Sequence, residues 1–330
     1  MNKRMTRGAP AAALAAALAT VLLSTTLTVA AQTYPTGPVR IVVPFPAGGG
    51  VDTAGRLLGQ KLSEAIGKPV LIDNRAGANG MIGSEMVAKS AKDGYTLLVN
   101  GANFVTSPIL YAKPLYDPIR DFDPVSLLAH APNILVVHPS LPVKNVRELI
   151  AFAKARPGEI LFAGSGSGST PHLAGELFKT LTQTKMVHVP YRGTGPAITA
   201  ILSGEVSTMF MPALTALPLI QSGRVRALGV TSLERLPALP ELPTVSESGL
   251  KGYQSSQWYG VLAPAGTPPD ILNFLSGHAS KIMQSADMKE RMKNSGSVSV
   301  GSTREVFAKH LQTEFSKWSK VIKASGATVD

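Results

Sequence analysis

The sequence predicts an α/β fold in two similar halves, because strand-like and helix-like segments alternate along most of the chain. The first half opens with a β-branched run at 39–43, followed by a glycine-rich stretch and by apolar residues at helical spacing as far as residue 66. Further strands are predicted at 70–72 and 95–99, with a helix at 82–91 between them. Alternating strands and helices with short connections indicate a parallel sheet covered by helices.

The second half repeats this alternation after a proline-rich, irregular stretch at 103–124. Extended segments are predicted at 125–129 and 134–137, and a boundary between the halves is expected in this region. The elements predicted to follow are a helix at 146–155, a strand at 160–163, a helix at 171–182, a strand at 186–191, a helix at 196–203 and a strand at 206–211. After strands at 225–230 and 258–263 the chain is mainly helical. The pattern leaves open whether this last part is a third domain or returns to the first.

The first 31 residues are predicted to be a secretory signal peptide. Three basic residues, Lys3, Arg4 and Arg7, precede an uncharged Ala/Leu/Val-rich run that ends in small residues at Ala31. A membrane anchor is the alternative, but the strongly apolar part at 11–23 is shorter than the ~20 residues of a spanning helix. The chain has no cysteine, which excludes disulfides, a thiol nucleophile and a lipid anchor. We therefore expect a free, soluble protein in a Gram-negative periplasm.

The charge of the chain is basic but dispersed. Three of the 32 Lys and Arg and none of the 21 Asp and Glu lie in the predicted signal peptide, so the net charge falls from +11 to +8 without it. No run of basic residues interleaved with aromatics is present. The charge therefore indicates a solvated surface, and no nucleic-acid partner is predicted.

The first glycine-rich stretch, VPFPAGGGVDTAGR at 43–56, has the glycine spacing of a phosphate-binding P-loop but lacks its chemistry. Arg56 stands where that motif has lysine, and Leu57 cannot supply the hydroxyl that binds magnesium. No nucleotide or other cofactor is therefore predicted. The pattern instead predicts a tight turn in which Asp52 caps the following helix, and free amides at a helix N-terminus favour anions. A tight turn that binds nothing is the alternative.

A second stretch, FAGSGSGSTPH at 162–172, also lies between a predicted strand and a predicted helix. Ser169 or Thr170 is expected to be the N-cap, with Pro171 at the first helical position. The stretch does not match the G-x-S-x-G elbow of serine hydrolases, because glycine recurs two positions after every glycine. Two such loops suggest a ligand with two anionic or polar ends, held in a cleft. A third stretch, DNRAGANG at 73–80, either lines the same crevice or is a simple turn.

Signals for catalysis or metal binding are weak. The chain has six histidines but no HExxH motif and no calcium-loop pattern. His172 and Glu176 have the spacing of metal ligands on one helical face, but no third ligand is indicated, and a local hydrogen-bonded pair is predicted. His188 is expected to be packed or to line a pocket rather than to act as a base. We therefore expect no metal, and a binding protein rather than an enzyme, with an exported hydrolase as the competing class.

Seven motifs cover nearly the whole chain after residue 31. They are VPFPAGGGVDTAGRLL (43–58), DNRAGANGMIGSEMVAKSAKDGYTLL (73–98), PVSLLAHAPNILVVHPSLP (124–142), GSGSGSTPHLAGELFK (164–179), VHVPYRGTGPAI (187–198), VRALGVTSLERLPALPELPTVSESG (225–249) and WYGVLAPAGTP (258–268). In these motifs and their order the chain resembles the Bug family, the extracytoplasmic solute receptors of tripartite tricarboxylate transport systems.

The resemblance implies a periplasmic binding protein of type II, the Venus flytrap class. Two domains, each a β-sheet flanked by helices, would close on a ligand in the cleft between them. The implied boundaries are 32–130 for the first part of domain 1, 131–226 for domain 2, and 227–330 for a return to domain 1 that includes the C-terminal helices. The resemblance thus resolves the question that the pattern leaves open.

The resemblance also implies which residues meet the ligand. One carboxylate of the ligand would be held, directly and through waters, by two loops of domain 1, and Asn103 would form a side wall. The residues matched in domain 1 are Phe45, Ala47, Gly48, Gly49, Ala78 and Asn79. The residues matched at the other end of the ligand, in domain 2, are Ser165, Ser169, Thr170 and His172.

One position departs from the family pattern. Where family members often have an acidic residue after the strand at 206–210, in a sequence resembling FDN, this chain has Phe210-Met211-Pro212. If Met211 lines the pocket, a partner for a ligand ammonium is missing there. We therefore expect a non-amino organic acid with an apolar body, such as an aromatic or aliphatic mono- or dicarboxylate.

The partners implied are a small carboxylate and the membrane subunits of a tripartite tricarboxylate transporter, with the receptor acting as a monomer. A ligand-sensing partner of a membrane signalling protein is the alternative, and the sequence does not distinguish the two.

Overall fold

The computed structural model describes residues 1, 34–166, 168–191, 193–294, 296–326 and 328. The chain divides into two compact units, residues 1–36 and residues 37–330, and the fold and site below belong to the second. The predicted signal peptide at 1–31 lies outside the described residues except for Met1. No helix within the described part of the chain combines the length and the apolar character needed to cross a membrane.

The first strand group contains the parallel strands that the alternating pattern predicts. β1 (Val39–Val43) lies between β2 (Val70–Asn74) and β3 (Thr96–Gly101) and pairs in parallel with both. The connecting helices are α1 (Gly50–Ile66) and α2 (Met81–Ala88), the latter preceded by a 3-10 turn at Ala78–Gly80. Four of the five residues of β1 are fully buried, because helices cover both faces of this strand.

The proline-rich stretch at 103–124 is not irregular throughout, because it opens with α3 (Asn103–Leu110). Phe104, near the start of α3, is fully buried, and its ring packs against Tyr116 at 5.4 Å and Phe122 at 4.9 Å between centroids. This aromatic cluster stabilises the helix although Pro108 lies inside it.

β4 (Phe122–Val137) is one strand of 16 residues where the sequence predicts two short extended segments. Its first part, as far as Pro132, pairs antiparallel with β9 (Ser256–Pro264). Its last five residues pair antiparallel with β7 (Thr208–Pro212), and four of them also pair with β8 (Arg226–Val230). A single strand therefore belongs to both strand groups.

The second strand group repeats the parallel arrangement of the first. β5 (Leu161–Gly164) pairs in parallel with β6 (Val187–Pro190) and with β7. The helices of this group are α4 (Val146–Ala155), α5 (Thr170–Thr182), α6 (Thr194–Ser203) and α7 (Ala213–Gln221). The sequence pattern does not predict α7, which contains Pro218.

The C-terminal part of the chain joins the first strand group. β9 lies between β3 and β4, and the strand order of the sheet is β2-β1-β3-β9-β4-β7-β5-β6. The elements that follow β9 are α8 (Pro269–Gln284), α9 (Ala286–Asn294), β10 (Val298–Ser299), which pairs with β4, and α10 (Arg304–Ser325). The predicted boundary between residues 130 and 131 falls inside β4. The division into domains stays a prediction.

Candidate ligand-binding site

A cavity of about 670 Å³ lies where loops and helix starts from both strand groups meet. Five α-helices have their first residue in its lining, namely Gly50 of α1, Asn103 of α3, Thr170 of α5, Thr194 of α6 and Ala213 of α7. The first amides of a helix lack intrahelical acceptors and carry a partial positive charge. The cavity is therefore suited to an anionic group.

The described side chains that line this cavity are neutral. The described lining residues include hydroxyl and amide side chains but no Asp, Glu, Lys, Arg or His. Within the described lining, the groups available to an anion are helix amides and neutral donors. Arg192, close in sequence to Thr194, lies outside the described residues.

The buried side chain of Asp52 holds the first glycine-rich loop by hydrogen bonds. Its buried carboxylate accepts hydrogen bonds from the backbone N–H of Gly48, from Arg56 Nε and from Asn74 Nδ2, each at 2.9 Å. These contacts lower the pKa of Asp52 to about 2, with the hydrogen bond from Arg56 as the largest cause and burial acting against it. Asp52 is therefore ionised at neutral pH.

Asp52 is not the N-cap that the sequence predicts. The N-cap of α1 is Gly49, which has no side chain to cap the helix, and Asp52 is the third helical residue. Side chains at this position point back toward the N-terminus, so the carboxylate reaches the amide of Gly48 as the acid of a capping box does. These contacts fit the predicted role of Asp52 in orienting the start of the helix, but from a position one turn further into the helix than the N-cap.

The third glycine-containing stretch forms a corner of the cavity. Asn103 Nδ2 donates to Asn79 Oδ1 at 2.9 Å, and the Ser107 hydroxyl donates to the Asn79 carbonyl at 3.0 Å. Ala78 and Asn79 have left-handed backbone conformations, with φ of 44° and 53°. The Phe45 ring packs closely against this turn, since a Cβ built on Gly80 would lie only 2.9 Å from the ring of Phe45.

The serine-rich loop provides the facing side of the cavity. Ser169 is the N-cap of α5 and accepts from the His172 amide at 3.4 Å, so this prediction is confirmed, although Pro171 is the second rather than the first helical residue. His172 Nδ1 accepts from the Gly168 amide at 3.0 Å, which places the ring proton of the neutral form on Nε2. The ring therefore holds the serine-rich loop in place.

His172 stacks on His188 with 3.8 Å between ring centroids. Burial lowers the pKa of His172 to about 3, and the nearby His188 and Lys179 contribute to this shift. Burial also lowers the pKa of His188 to about 4. Both rings are neutral at pH 7.

The predicted hydrogen bond between His172 and Glu176 is not formed. His172 Nε2 lies 3.7 Å from Glu176 Oε1, and both oxygens of Glu176 accept from Lys179 Nζ at 2.8 and 2.9 Å. Lysine competes for this carboxylate because it carries a full charge and His172 does not. The described part of the chain contains no group of three residues that could ligate a metal ion.

Six of the twelve predicted ligand residues line the cavity. They are Gly48, Asn79, Asn103, Ser165, Ser169 and Thr170. The described lining does not include Phe45, Ala47, Gly49, Ala78, His172 or Met211. Of these, Phe45 and His172 contact the loops that do line it. Ligand contact by any of the twelve stays a prediction.

Met211 does not form a wall of the cavity. Its side chain is fully buried in an apolar cluster, while its neighbour Pro212 lines the cavity. Successive residues of a strand point to opposite faces of the sheet, so these two cannot both face the ligand. The expectation of a non-amino acid ligand therefore cannot rest on Met211.

Two strand residues that the sequence analysis misses lie at the floor of the cavity, Gln257 and Tyr259 of β9. Gln257 Oε1 accepts from the Thr170 hydroxyl at 3.1 Å and from the Ala102 amide at 3.3 Å. A Cβ built on Gly50 would lie 2.2 Å from the Tyr259 hydroxyl oxygen, so only glycine fits at that position beside the tyrosine. Burial raises the pKa of Tyr259 to about 12, which keeps its hydroxyl protonated.

Helix starts around a polar cavity in an α/β fold are suited to binding a small anion, and comparison with known proteins identifies the class as a solute receptor. Residues 54–327 match the TctC model, the tripartite tricarboxylate transporter family receptor. BugT of Bordetella pertussis is 38% identical over 301 residues, covering 91% of this chain and 92% of BugT.

Two solved structures show the same fold. Rpa4515 of R. palustris with adipate is 37% identical with a TM-score of 0.75, covering 89% of this chain and 99% of that one. MatC of Rhodopseudomonas palustris with bound malate is 33% identical with a TM-score of 0.72, covering 88% of this chain and all of that one. The chain therefore belongs to the tripartite tricarboxylate transporter receptor family, also known as Bug.

Family membership confirms the predicted fold class, a two-domain type of periplasmic binding protein, and the prediction of a receptor rather than an enzyme. Members of this family are periplasmic solute receptors for small carboxylates. The hydrolase hypothesis is thereby set aside.

Proposed function

We propose that this receptor binds a small organic carboxylate in the 670 Å³ cavity. The observation that carries the proposal is the meeting of five helix N-termini around a cavity whose described lining residues are all uncharged. One helix end stabilises a nearby negative charge by ~0.3 to 1 kcal/mol, and by up to ~2 kcal/mol when the site is partly buried. Several such ends, together with hydroxyl and amide donors, can hold one or two carboxylates without a cationic side chain.

A non-amino acid ligand is favoured by the same lining. An ammonium group needs an acceptor with negative charge to repay its desolvation, and the described lining offers no carboxylate. Two relatives are described with adipate and with malate, which are both dicarboxylates without an amino group. We therefore propose a mono- or dicarboxylate with an aliphatic or aromatic body.

Thermal unfolding of the chain from residue 32 onward, with a panel of ligands, tests this proposal. The panel contains malate, adipate, benzoate, glutamate and 1,4-diaminobutane, the last being a dication of similar length. A ligand at one hundred times its dissociation constant should add ~2.7 kcal/mol of stability. We expect a shift with at least one plain carboxylate and none with the diamine. Stabilisation by glutamate alone, or by the diamine, would contradict the proposed ligand class.

We further propose that the protein is exported by cleavage after Ala31 and is not lipid-anchored, since it has no cysteine. In the periplasm it would act as a monomer that closes on its ligand and delivers it to the membrane subunits of a tripartite transporter. N-terminal sequencing of the periplasmic form should begin at Gln32. Ligand-dependent crosslinking should capture transporter subunits, and capture of a membrane kinase instead would support a sensory role.

A further inference from the structure

The floor of the cavity holds two amide side chains on neighbouring strands, Gln257 of β9 and Asn133 of β4. Gln257 is opposite Ala131 in the antiparallel pairing of the two strands. Asn133 is two residues beyond Ala131, so the two amides lie on the same face of the sheet as diagonal neighbours.

The orientation of the Gln257 amide follows from its hydrogen bonds. The Ala102 backbone N–H can only donate, so the atom of Gln257 that it contacts at 3.3 Å must be the oxygen. The Thr170 hydroxyl donates to the same oxygen at 3.1 Å. Gln257 Nε2 is therefore on the other branch of the amide. It lies beside Gly101, because a Cβ built on Gly101 would be 2.4 Å from it. Among the described residues, no acceptor for this nitrogen is recorded.

Asn133 provides a second donor without a partner. Its residue is 2% exposed, and its Nδ2 has no hydrogen-bond partner within the described structure. A buried donor left unpaired costs free energy, so such groups in native proteins are normally satisfied by solvent or by a ligand. Both nitrogens belong to residues that line one cavity, and Asn133 Nδ2 is itself buried, so a ligand oxygen reaches it only when the Asn133 side chain turns into the cavity.

We propose that Gln257 and Asn133 form a donor pair that selects ligands by an oxygen acceptor. This inference rests on the proposed function, because it assigns the residues that would hydrogen-bond to one oxygen-bearing group of the carboxylate ligand. The Gln257 oxygen is already engaged by Ala102 and Thr170, so its free branch can only donate. A ligand ammonium would meet donors here, while a carboxylate, carbonyl or hydroxyl oxygen satisfies them.

The Gln257 oxygen also joins the two sides of the cavity. Ala102 precedes α3 in the first strand group, and Thr170 begins α5 in the second. A ligand oxygen bound by the Gln257 nitrogen therefore contacts the side chain that connects both helix starts.

Isothermal titration with succinate, glutarate and pimelate tests the pair in four variants. Gln257→Met and Asn133→Ala each remove one donor, and Gln257→Glu keeps the shape and the acceptor oxygen but replaces the donor by an acceptor. Gln312→Glu, on the exposed surface of α10, is the matched control for the added charge. Loss of a hydrogen bond to a charged group should weaken binding about 10- to 100-fold in the first two variants.

The pH dependence of binding by Gln257→Glu distinguishes loss of a hydrogen-bond donor from damage to side-chain packing. At pH 8 the Gln257→Glu variant should bind more weakly than Gln257→Met, because two carboxylates face each other. As the pH falls toward 5, the introduced carboxyl group takes up a proton and can donate again, so the affinity ratio to wild type should recover. Tyr259, with a pKa of about 12, does not titrate in this range. Gln312→Glu should bind as wild type at every pH.

The outcomes distinguish this inference from the function on which it rests. If wild type binds and either Gln257→Met or Asn133→Ala binds equally well, the donor pair is refuted. A loss in Gln257→Glu that does not change with pH refutes it as well, since packing damage does not titrate. If wild type binds neither these three acids nor any acid of the thermal-unfolding panel, the proposed carboxylate function itself fails.

Discussion

Replacing Asp52 with asparagine tests whether the buried network beneath the first glycine-rich loop shapes the cavity. The Asp52 side chain is 3% exposed, and its two oxygens accept from Gly48, Arg56 and Asn74. Asparagine has the same shape but only one acceptor oxygen. At least one of these donors would then face the amide nitrogen, so the loop at 44–49 should shift or loosen.

The magnitude follows from the pKa of this carboxyl group. A fall from 3.8 to about 2 corresponds to roughly 2.5 kcal/mol of stabilisation of the charged form. Arg56 is 52% exposed, so solvent screens part of this interaction, and we expect Asp52→Asn to lose about 1 to 2 kcal/mol. The folded pKa lies below the unfolded one. The contribution of Asp52 is therefore complete above pH 3.8 and is lost as the pH falls toward 2.

Urea unfolding at pH 7, with carboxylate titration of the same samples, measures both effects. Asp270→Asn is the matched control, because Asp270 is also an acid in the first turn of a helix but is exposed. It should change the free energy of unfolding by no more than ~1 kcal/mol and leave affinity unchanged. The reasoning is refuted if Asp52→Asn unfolds like wild type and binds with wild-type affinity.

Three further predictions concern the histidines and the glycine at the cavity. The free energy of unfolding should fall as the pH drops below ~6.5. His172 and His188 have folded pKa values of about 3 and 4, so the unfolded chain takes up protons first. An unchanged urea midpoint from pH 8 to 5 would contradict this. Gly50→Ala should weaken ligand binding through its clash with Tyr259, whereas Gly277→Ala, in an open helical position, should bind as wild type and be up to ~1 kcal/mol more stable. His172→Ala should weaken binding by releasing the Gly168 amide, without any turnover in either protein; equal affinities in calorimetry would dismiss this supporting role.

The sequence predicts the parallel elements well because their signals are local. β1 is an apolar run interrupted only by Arg40, and the loops after β1 and β5 carry glycine and serine where the backbone must turn into a helix. These signals predict the glycine-rich turns and the N-cap at Ser169 or Thr170, and the family resemblance adds Gly48, Ser165, Ser169 and Thr170 as ligand residues; all four line the cavity. Arg56 and Leu57, which stand where a P-loop has lysine and a hydroxyl residue, also exclude a P-loop from residue identities alone.

The rest of the cavity depends on strand pairing, which a single sequence does not encode locally. Gln257 faces the cavity because β9 inserts between β3 and β4. Its contact with Ala102 spans 155 positions and its contact with Thr170 spans 87. Met211 lies away from the cavity lining for a related reason, since the face of a strand on which a residue lies depends on register, and a shift of one position reverses it.

The uncharged side chains of the described lining also suit the proposed role of a receptor that releases its ligand. A buried cation paired with the ligand carboxylate would be costly to separate, because each charge would lose its partner in a low dielectric. Helix ends and neutral donors such as Gln257 are held in position by the fold and leave no unpaired charge when the ligand departs. If the receptor closes on its ligand as proposed, binding shifts it toward the closed state only by the ligand's differential affinity for that state. The proposed membrane partner would reverse that shift by binding the open form more tightly.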